Sequence, residues 1–138
     1  MDRVMRYMLD SNIVSHAIRR QPNVVARLES VSVEECCISA VVRGELRFGV
    51  ANNPSATKLA RLVEAFFDTV VTLPWNARVA DAYGELRASL QRAGKRSGEL
   101  DEMIAAHAWT EGLVLLTANA RHFEHIEGLV VEDWTKPL

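Results

Sequence analysis

Four side chains in this sequence offer oxygen donors at places where an α/β sheet builds its sites: Asp10, Glu45, Asp101 and Asn119. Asp10 closes the short apolar run Tyr7-Met8-Leu9 and precedes Ser11-Asn12, so it reads as the carboxyl end of a buried strand. In a parallel sheet that edge is where ligands bind. Asn119 follows Leu116-Thr117 in the same manner, although turn chemistry alone accounts for an asparagine there. Glu45 falls within the stripe Val42, Leu46, Gly49 of a helix that leaves the second strand, and so starts from the same edge. A carboxylate facing a core is costly unless cations or donors compensate it. Pairing with Arg43 or Arg47, or escape to solvent at the helix edge, explains Glu45 as well as a site does, and the sequence leaves both open. Asp101, with Glu99 before it, lies in the first turn of a helix, where an acid is favoured by the helix dipole alone. Three carboxylates and an amide gathered at one edge repel one another unless a hard divalent cation joins them. Oxygen ligands without His or Cys suit Mg2+, or Mn2+ in its place. Such an ion can polarise a phosphate and generate hydroxide from water.

Positioning these groups requires strands that end together. Beyond the first strand, Cys36-Cys37-Ile38-Ser39, Val70 to Leu73, Leu113 to Leu116 and Leu129 to Val131 read as strands. Helical spacing lies between them. Ser11 is expected to cap a helix through Arg20, Pro22 to break it, and Asn23 to cap a short second helix. Ser39 is placed to cap a helix from Ala40 to about Val50, and Ser55 one running to Phe67. Asn76 should start a long helix with Val79, Ala80, Tyr83, Leu86, Ala88 and Leu90 along its apolar face. Gly94-Lys95-Arg96-Ser97-Gly98 forms a basic loop before a helix from about Leu100. Strands alternating with helices predict an α/β fold, a mostly parallel central sheet of about five strands with helices on both faces. Residues 1–138 are expected to form a single domain.

The composition narrows the class further. With 49% apolar and 25% charged residues the chain is not a disordered one. No apolar stretch approaches the roughly 20 residues of a membrane helix, and no signal-peptide core is evident, so a cytoplasmic protein is expected. The formal charge of −2 neither advertises nor excludes a nucleic-acid partner. The adjacent Cys36 and Cys37 lack zinc-site spacing and read as buried, reduced thiols. His107, among alanines, reads as a packed histidine bonded to backbone. His16, His122 and His125 show no spacing for joint action. Trp75, Trp109 and Trp134 read as core or interface, and Glu132 and Asp133 as structural. Arg87, Arg92, Lys95 and Arg96 gather near Asp101. A solvated helix terminus explains them, and so does a phosphate grip, for which Arg92, Lys95 and Arg96 are the candidates.

With these residues in hand, the chain resembles the PIN-domain ribonucleases, in particular the VapC toxins of bacterial toxin–antitoxin pairs. The resemblance spans nearly the whole length. Tyr7-Met8-Leu9-Asp10-Ser11-Asn12 is similar to the family's first strand, with Ser11 where threonine is more usual. Ile38-Ser39-Ala40 through Gly44-Glu45-Leu46-Arg47-Phe48-Gly49 resembles the second motif, and Asp101 with Ile104-Ala105-Ala106-His107-Ala108 the third. Leu116-Thr117-Ala118-Asn119, His122-Phe123 and Gly128-Leu129 to Glu132-Asp133-Trp134 resemble the closing segment.

The resemblance implies a Mg2+-dependent endoribonuclease toxin that cleaves RNA, tRNA foremost, by metal-activated water and so inhibits translation. It implies Asp10 and Asp101 as metal ligands, Glu45 as a ligand directly or through water, and Asn119 as a fourth with one charge fewer than the aspartate of some members. Asn12, Ser11 and Thr117 would then stand beside the ligands and hold them. A homodimer is implied, as is a cognate VapB-type antitoxin that inserts a segment into the cleft and carries the pair to operator DNA. The alternative within the family is a weakly catalytic subunit of a DNA-binding repressor complex. A phospho-acceptor receiver is disfavoured because Asp10-Ser11-Asn12 offers one acid and Lys136 lies beyond Trp134. An Asp-x-Asp phosphatase is disfavoured because Asn12 takes the second position.

Overall fold

β1 (Tyr7–Leu9) is buried along its whole length and forms the middle of a five-stranded, all-parallel sheet. The structure, a computed structural model, describes residues 4–137. On one side of β1 lie β2 (Cys36–Ser39) and β3 (Val71–Leu73), and on the other β4 (Val114–Leu116) and β5 (Val131–Glu132), in the order β3-β2-β1-β4-β5. Tyr7 stands opposite Cys36 on one flank and Val114 on the other, which fixes the register of the centre. The chain first grows outward from β1 to β3, then returns across the sheet to β4. Right-handed crossovers in opposite directions require opposite faces, so helices cover both sides. The direction reverses between β1 and β4, the crevice where such sheets bind ligands.

Among the described residues six α-helices make the connections: α1 (Ser11–Ile18), α2 (Pro22–Glu29), α3 (Ala40–Ala51), α4 (Thr57–Thr69), α5 (Ala77–Ala93) and α6 (Glu99–Glu111). Their starts correct several sequence expectations. Asp10, not Ser11, caps α1: its backbone is still extended, and its carboxylate accepts the Ser11 N–H at 2.8 Å. α1 ends at Ile18, ahead of Pro22 as expected, and Pro22 itself opens α2, because a first-turn residue needs no N–H partner and proline's φ suits it. Gln21 caps that helix by accepting from Val24 N, while Asn23 donates instead to the Thr135 carbonyl at 2.7 Å. Ser39 and Asn76 cap α3 and α5 through their side chains. At α4 the capping position is Ala56, which offers no side-chain bond, and Ser55 turns to Asn53. The stripe of α5 is narrower than the spacing suggests. Val79 and Leu90 are buried, whereas Ala80 and Ala88 face solvent. Gly94 ends α5 with φ +69°, a conformation that a side chain would strain, and so turns the chain into the loop before α6.

The core is the interior of this sandwich, with Met8, Ile38, Val42, Ile104, Leu115 and Phe123 all but excluded from solvent. Cys36 and Cys37 belong to it as free thiols, and burial pushes them up to about 11 and about 12, which leaves them protonated and unreactive. Among the described residues no helix is long and apolar enough to cross a membrane.

Candidate functional site

Asp10 is 4% exposed, at the carboxyl end of β1, and its backbone N–H extends the ladder by one bond to the Leu116 carbonyl. A carboxylate this buried must be held. Thr117 Oγ1 donates to it at 2.8 Å and the Ser11 N–H at 2.8 Å, with Asn12 Nδ2 more distant at 3.4 Å. Asn12 also accepts the Ala118 N–H at 3.0 Å, tying the loops after β1 and β4 to each other. Burial nonetheless raises the Asp10 pKa above its usual range. The Thr117, Ser11 and Asn12 bonds oppose that rise, and the charge of Asp101 adds to it.

Glu45 sits in the second turn of α3, half-buried. Arg43 does not pair with it, for its guanidinium lies over the Phe67 ring and donates to Thr72 Oγ1. Arg47 does not either; it pairs with Glu64. Glu45 Oε1 is buried with no hydrogen-bond partner among the described residues. Its pKa is pushed up to about 6, by burial first and then by the charges of Asp10 and Asp101, with the Ser11 hydroxyl working the other way. The mutual repulsion shows that the three carboxylates share one field. Among the described residues no three His, Cys, Asp or Glu side chains stand closely enough together to enclose an ion.

Asp101 lies in the first turn of α6 and accepts from no N–H of its own helix among the described residues; its partner is His122 Nδ1 at 3.1 Å. The backbone anchor at that helix start is Glu102, which accepts the Ser97 N–H. The sequence did not single out His122, since no local spacing links it to Asp101, 21 residues away. Asn119 follows β4 and is exposed. Its backbone N–H donates to Thr117 Oγ1, and its side chain makes no hydrogen bond to Asp10, Glu45 or Asp101 among the described residues. His107 is buried, bonded through Nδ1 to Ser39 Oγ at 2.7 Å and not to backbone, with Trp75 against its ring. Of the basic residues, Arg92 and Lys95 are exposed, Arg87 reaches Glu99, and Arg96 is bound to Glu102. Glu132 accepts from Trp134 Nε1, and Asp133 from Thr135.

The orphaned oxygen has a thermodynamic consequence. A carboxylate whose folded pKa is raised from 4.5 to about 6 contributes stability below the lower value and loses it as pH rises through the higher one. Glu45→Gln is therefore expected to stabilise the metal-free protein by about 1 kcal/mol near pH ~8 and to change nothing near pH ~4. That magnitude is about half of what 1.36 kcal/mol per pKa unit gives, because solvent screens a half-buried group. Urea unfolding in a chelator at the two pH values checks it; equal shifts at both would refute the cause given.

Fold and site together define an α/β domain with an acidic, oxygen-only site at the switch point of a parallel sheet. The comparisons with known proteins place it more narrowly. The family described as PIN domain matches residues 7–129. The tRNA(fMet)-specific endonuclease VapC of Shigella flexneri is 34% identical over 132 residues, 96% of this chain and 100% of that protein. In the DNA-bound VapBC crystal structure from Salmonella typhimurium, a chain 33% identical superposes with a TM-score of 0.88 over 95% of this chain and 99% of its own. VapBC2 of Rickettsia felis, bound to a promoter DNA fragment, gives 0.86 at 32% identity, covering 94% and 99%. The chain belongs to the PIN-domain family, among the VapC proteins.

Proposed function

We propose that this chain is a Mg2+-dependent endoribonuclease toxin, acting on RNA and on tRNA foremost, and so an inhibitor of translation. The observation that carries the reading is the buried, unpartnered oxygen of Glu45 in the same field as Asp10 and Asp101. A donor left unsatisfied in a charged, oxygen-only cluster fits a hard cation. Asp10, Glu45 and Asp101 would hold Mg2+ or Mn2+, with the Asn119 amide at the rim. When bound, the ion supplies charge neutralisation for a phosphate and a more acidic water. The chain's own residues do the rest. Thr117, Ser11 and Asn12 fix Asp10 in one orientation, His122 holds one oxygen of Asp101, and the exposed Arg92 and Lys95 attract the RNA backbone. Arg96 is neutralised by Glu102 and holds the loop in place, leaving Arg92 and Lys95 as the free cations of that group among the described residues.

The same reading covers the partners. A groove of about 1000 Å³ runs between α1, α3, α4 and α6, lined by Ile18, Leu46, Phe48, Leu59 and Met103, with Ser11 and Glu45 also in its wall. Phe48 is 69% exposed there. This apolar groove suits a segment of a VapB-type antitoxin, which would cover Glu45 as it binds. The pair would reach operator DNA through the antitoxin, the toxin would act as a homodimer, and the setting is the bacterial cytoplasm. The likeness to DNA-bound VapBC structures favours one second reading, a repressor-complex subunit with little nuclease action.

The test is cleavage of total bacterial RNA by purified, antitoxin-free protein, with Mg2+ and with a chelator, sequencing new 5′ ends. Discrete ends that require Mg2+ are expected. No cleavage by folded protein on any RNA pool transfers the assignment to the repressor reading.

A further inference from the structure

We propose that the cleft beyond Asn119 is the subsite for the ribonucleotide flanking the scissile phosphate, with Arg121 and Lys136 on that nucleotide's phosphate. This rests on the ribonuclease reading above and extends it to substrate placement. The cleft measures about 430 Å³, within the range of small-ligand sites, and shares no lining residue with the apolar groove. Asn119, Arg121, His122, Glu124, Asp133 and Lys136 supply its polar wall.

One contact and one strand position join it to the acidic edge. His122 lines the cleft and bonds Asp101 at 3.1 Å. Asn119 leaves β4, the direct neighbour of β1, three residues beyond the Leu9–Leu116 pair. A strand with one phosphate at the carboxylates therefore reaches the cleft with its next nucleotide.

The wall's chemistry selects the occupant. Arg121 and Lys136 take part in no ion pair among the described residues, unlike Arg87 and Arg96. Asp133 has one oxygen committed to Thr135, through both N–H and Oγ1. A bare anion is poorly matched to a wall that also holds Glu124 and Asp133. A ribonucleotide is well matched, because its phosphate meets the two cations while its base N–H groups and 2′-OH can donate to the carboxylates and the Asn119 amide oxygen.

The experiment uses the Asp10→Asn protein, which permits binding without turnover, and a labelled oligoribonucleotide spanning the cleavage site mapped with wild type. Adding Arg121→Ala or Lys136→Ala singly is expected to lower the salt slope by about 0.7, one single-strand phosphate contact each, and adding both to weaken binding roughly tenfold and lower the slope by about 1.4. Circular dichroism should be unchanged. Arg78→Ala, at the far end of α6 where Arg78 pairs with Glu111, is the control of equal charge for each single variant. A ribonucleoside 5′-monophosphate should displace the oligonucleotide where inorganic phosphate at the same concentration does not. Losses no larger than those of the control overturn the subsite, and equal displacement by phosphate overturns the nucleotide assignment. Wild type that cleaves no RNA overturns the activity reading, and the subsite with it.

Discussion

Asp10→Asn is expected to lower Mg2+-dependent RNA cleavage by at least roughly a hundredfold while leaving the protein folded. The substitution keeps the shape of the side chain and its acceptor for the Ser11 N–H, so the cap of α1 survives. What it removes is one of the three charges that share the site's field. Loss of that charge has opposite effects on stability and on activity. In the metal-free protein it relieves Glu45 and Asp101 of a repulsive neighbour and spares the desolvation of a buried carboxylate. Against this, the new Nδ2 must turn to Thr117 Oγ1, which already accepts the Asn119 N–H, and it faces Asn12 Nδ2 as a second donor. The two contributions nearly cancel, and the unfolding free energy should move by less than about 1 kcal/mol. Cleavage assays on the RNA pool and urea unfolding of the same preparation give the two readouts. Cleavage within a few-fold of wild type would remove Asp10 from the reaction. A variant that fails to fold would show that the carboxylate is there for structure.

What the sequence makes legible depends on whether a contact is local in the chain. Strand and helix order followed from short apolar runs and from helical spacing, and the parallel sheet followed from their alternation. Asp10 was legible because a strand end and a carboxylate coincide in consecutive residues. The same coincidence makes Ser11 look like the cap of α1, one residue late, since Asp10 serves both the helix and the site. Glu45 could be seen on an apolar stripe, but its two neighbouring arginines could not be ruled out as partners. Only tertiary structure turns Arg43 to Thr72 and Arg47 to Glu64. His122 was invisible because its partner is 21 residues away on another element. His107 shows the same limit, as its bond to Ser39 spans 68 residues. The basic loop illustrates a different one: a run of cations reads as available charge until the acid that holds one of them is found inside the protein.

Arg96→Ala is expected to lower the urea midpoint of unfolding, because it takes from Glu102 the guanidinium that covers and neutralises it. Glu102 is 0% exposed, and its oxygens accept from Arg96 Nε at 2.9 Å and from the Ser97 N–H at 2.9 Å. Arg96 Nη2 closes the ion pair at 2.8 Å. The bonds to Arg96 and Ser97 pull the Glu102 carboxyl below its usual range in spite of burial, so it stays charged at neutral pH and needs the guanidinium. Removing Arg96 leaves Glu102 the Ser97 N–H and the solvent that enters where the partly exposed guanidinium stood. Replacing both members by apolar residues of similar size, as in Arg96→Met with Glu102→Leu, should recover most of the loss because no charge is then stranded. Urea midpoints of the single and double variants decide the matter, and a single variant with the wild-type midpoint would refute the assignment. The consequence for function is indirect but specific. Glu102 adjoins Asp101, and Ser97 also donates to the His122 carbonyl, so this ion pair sets where the first turn of α6 stands against the segment that carries His122. Loss of RNA cleavage in Arg96→Ala should therefore track the unfolded fraction and recover in the apolar pair. A cation acting only by gripping phosphate would show no such recovery.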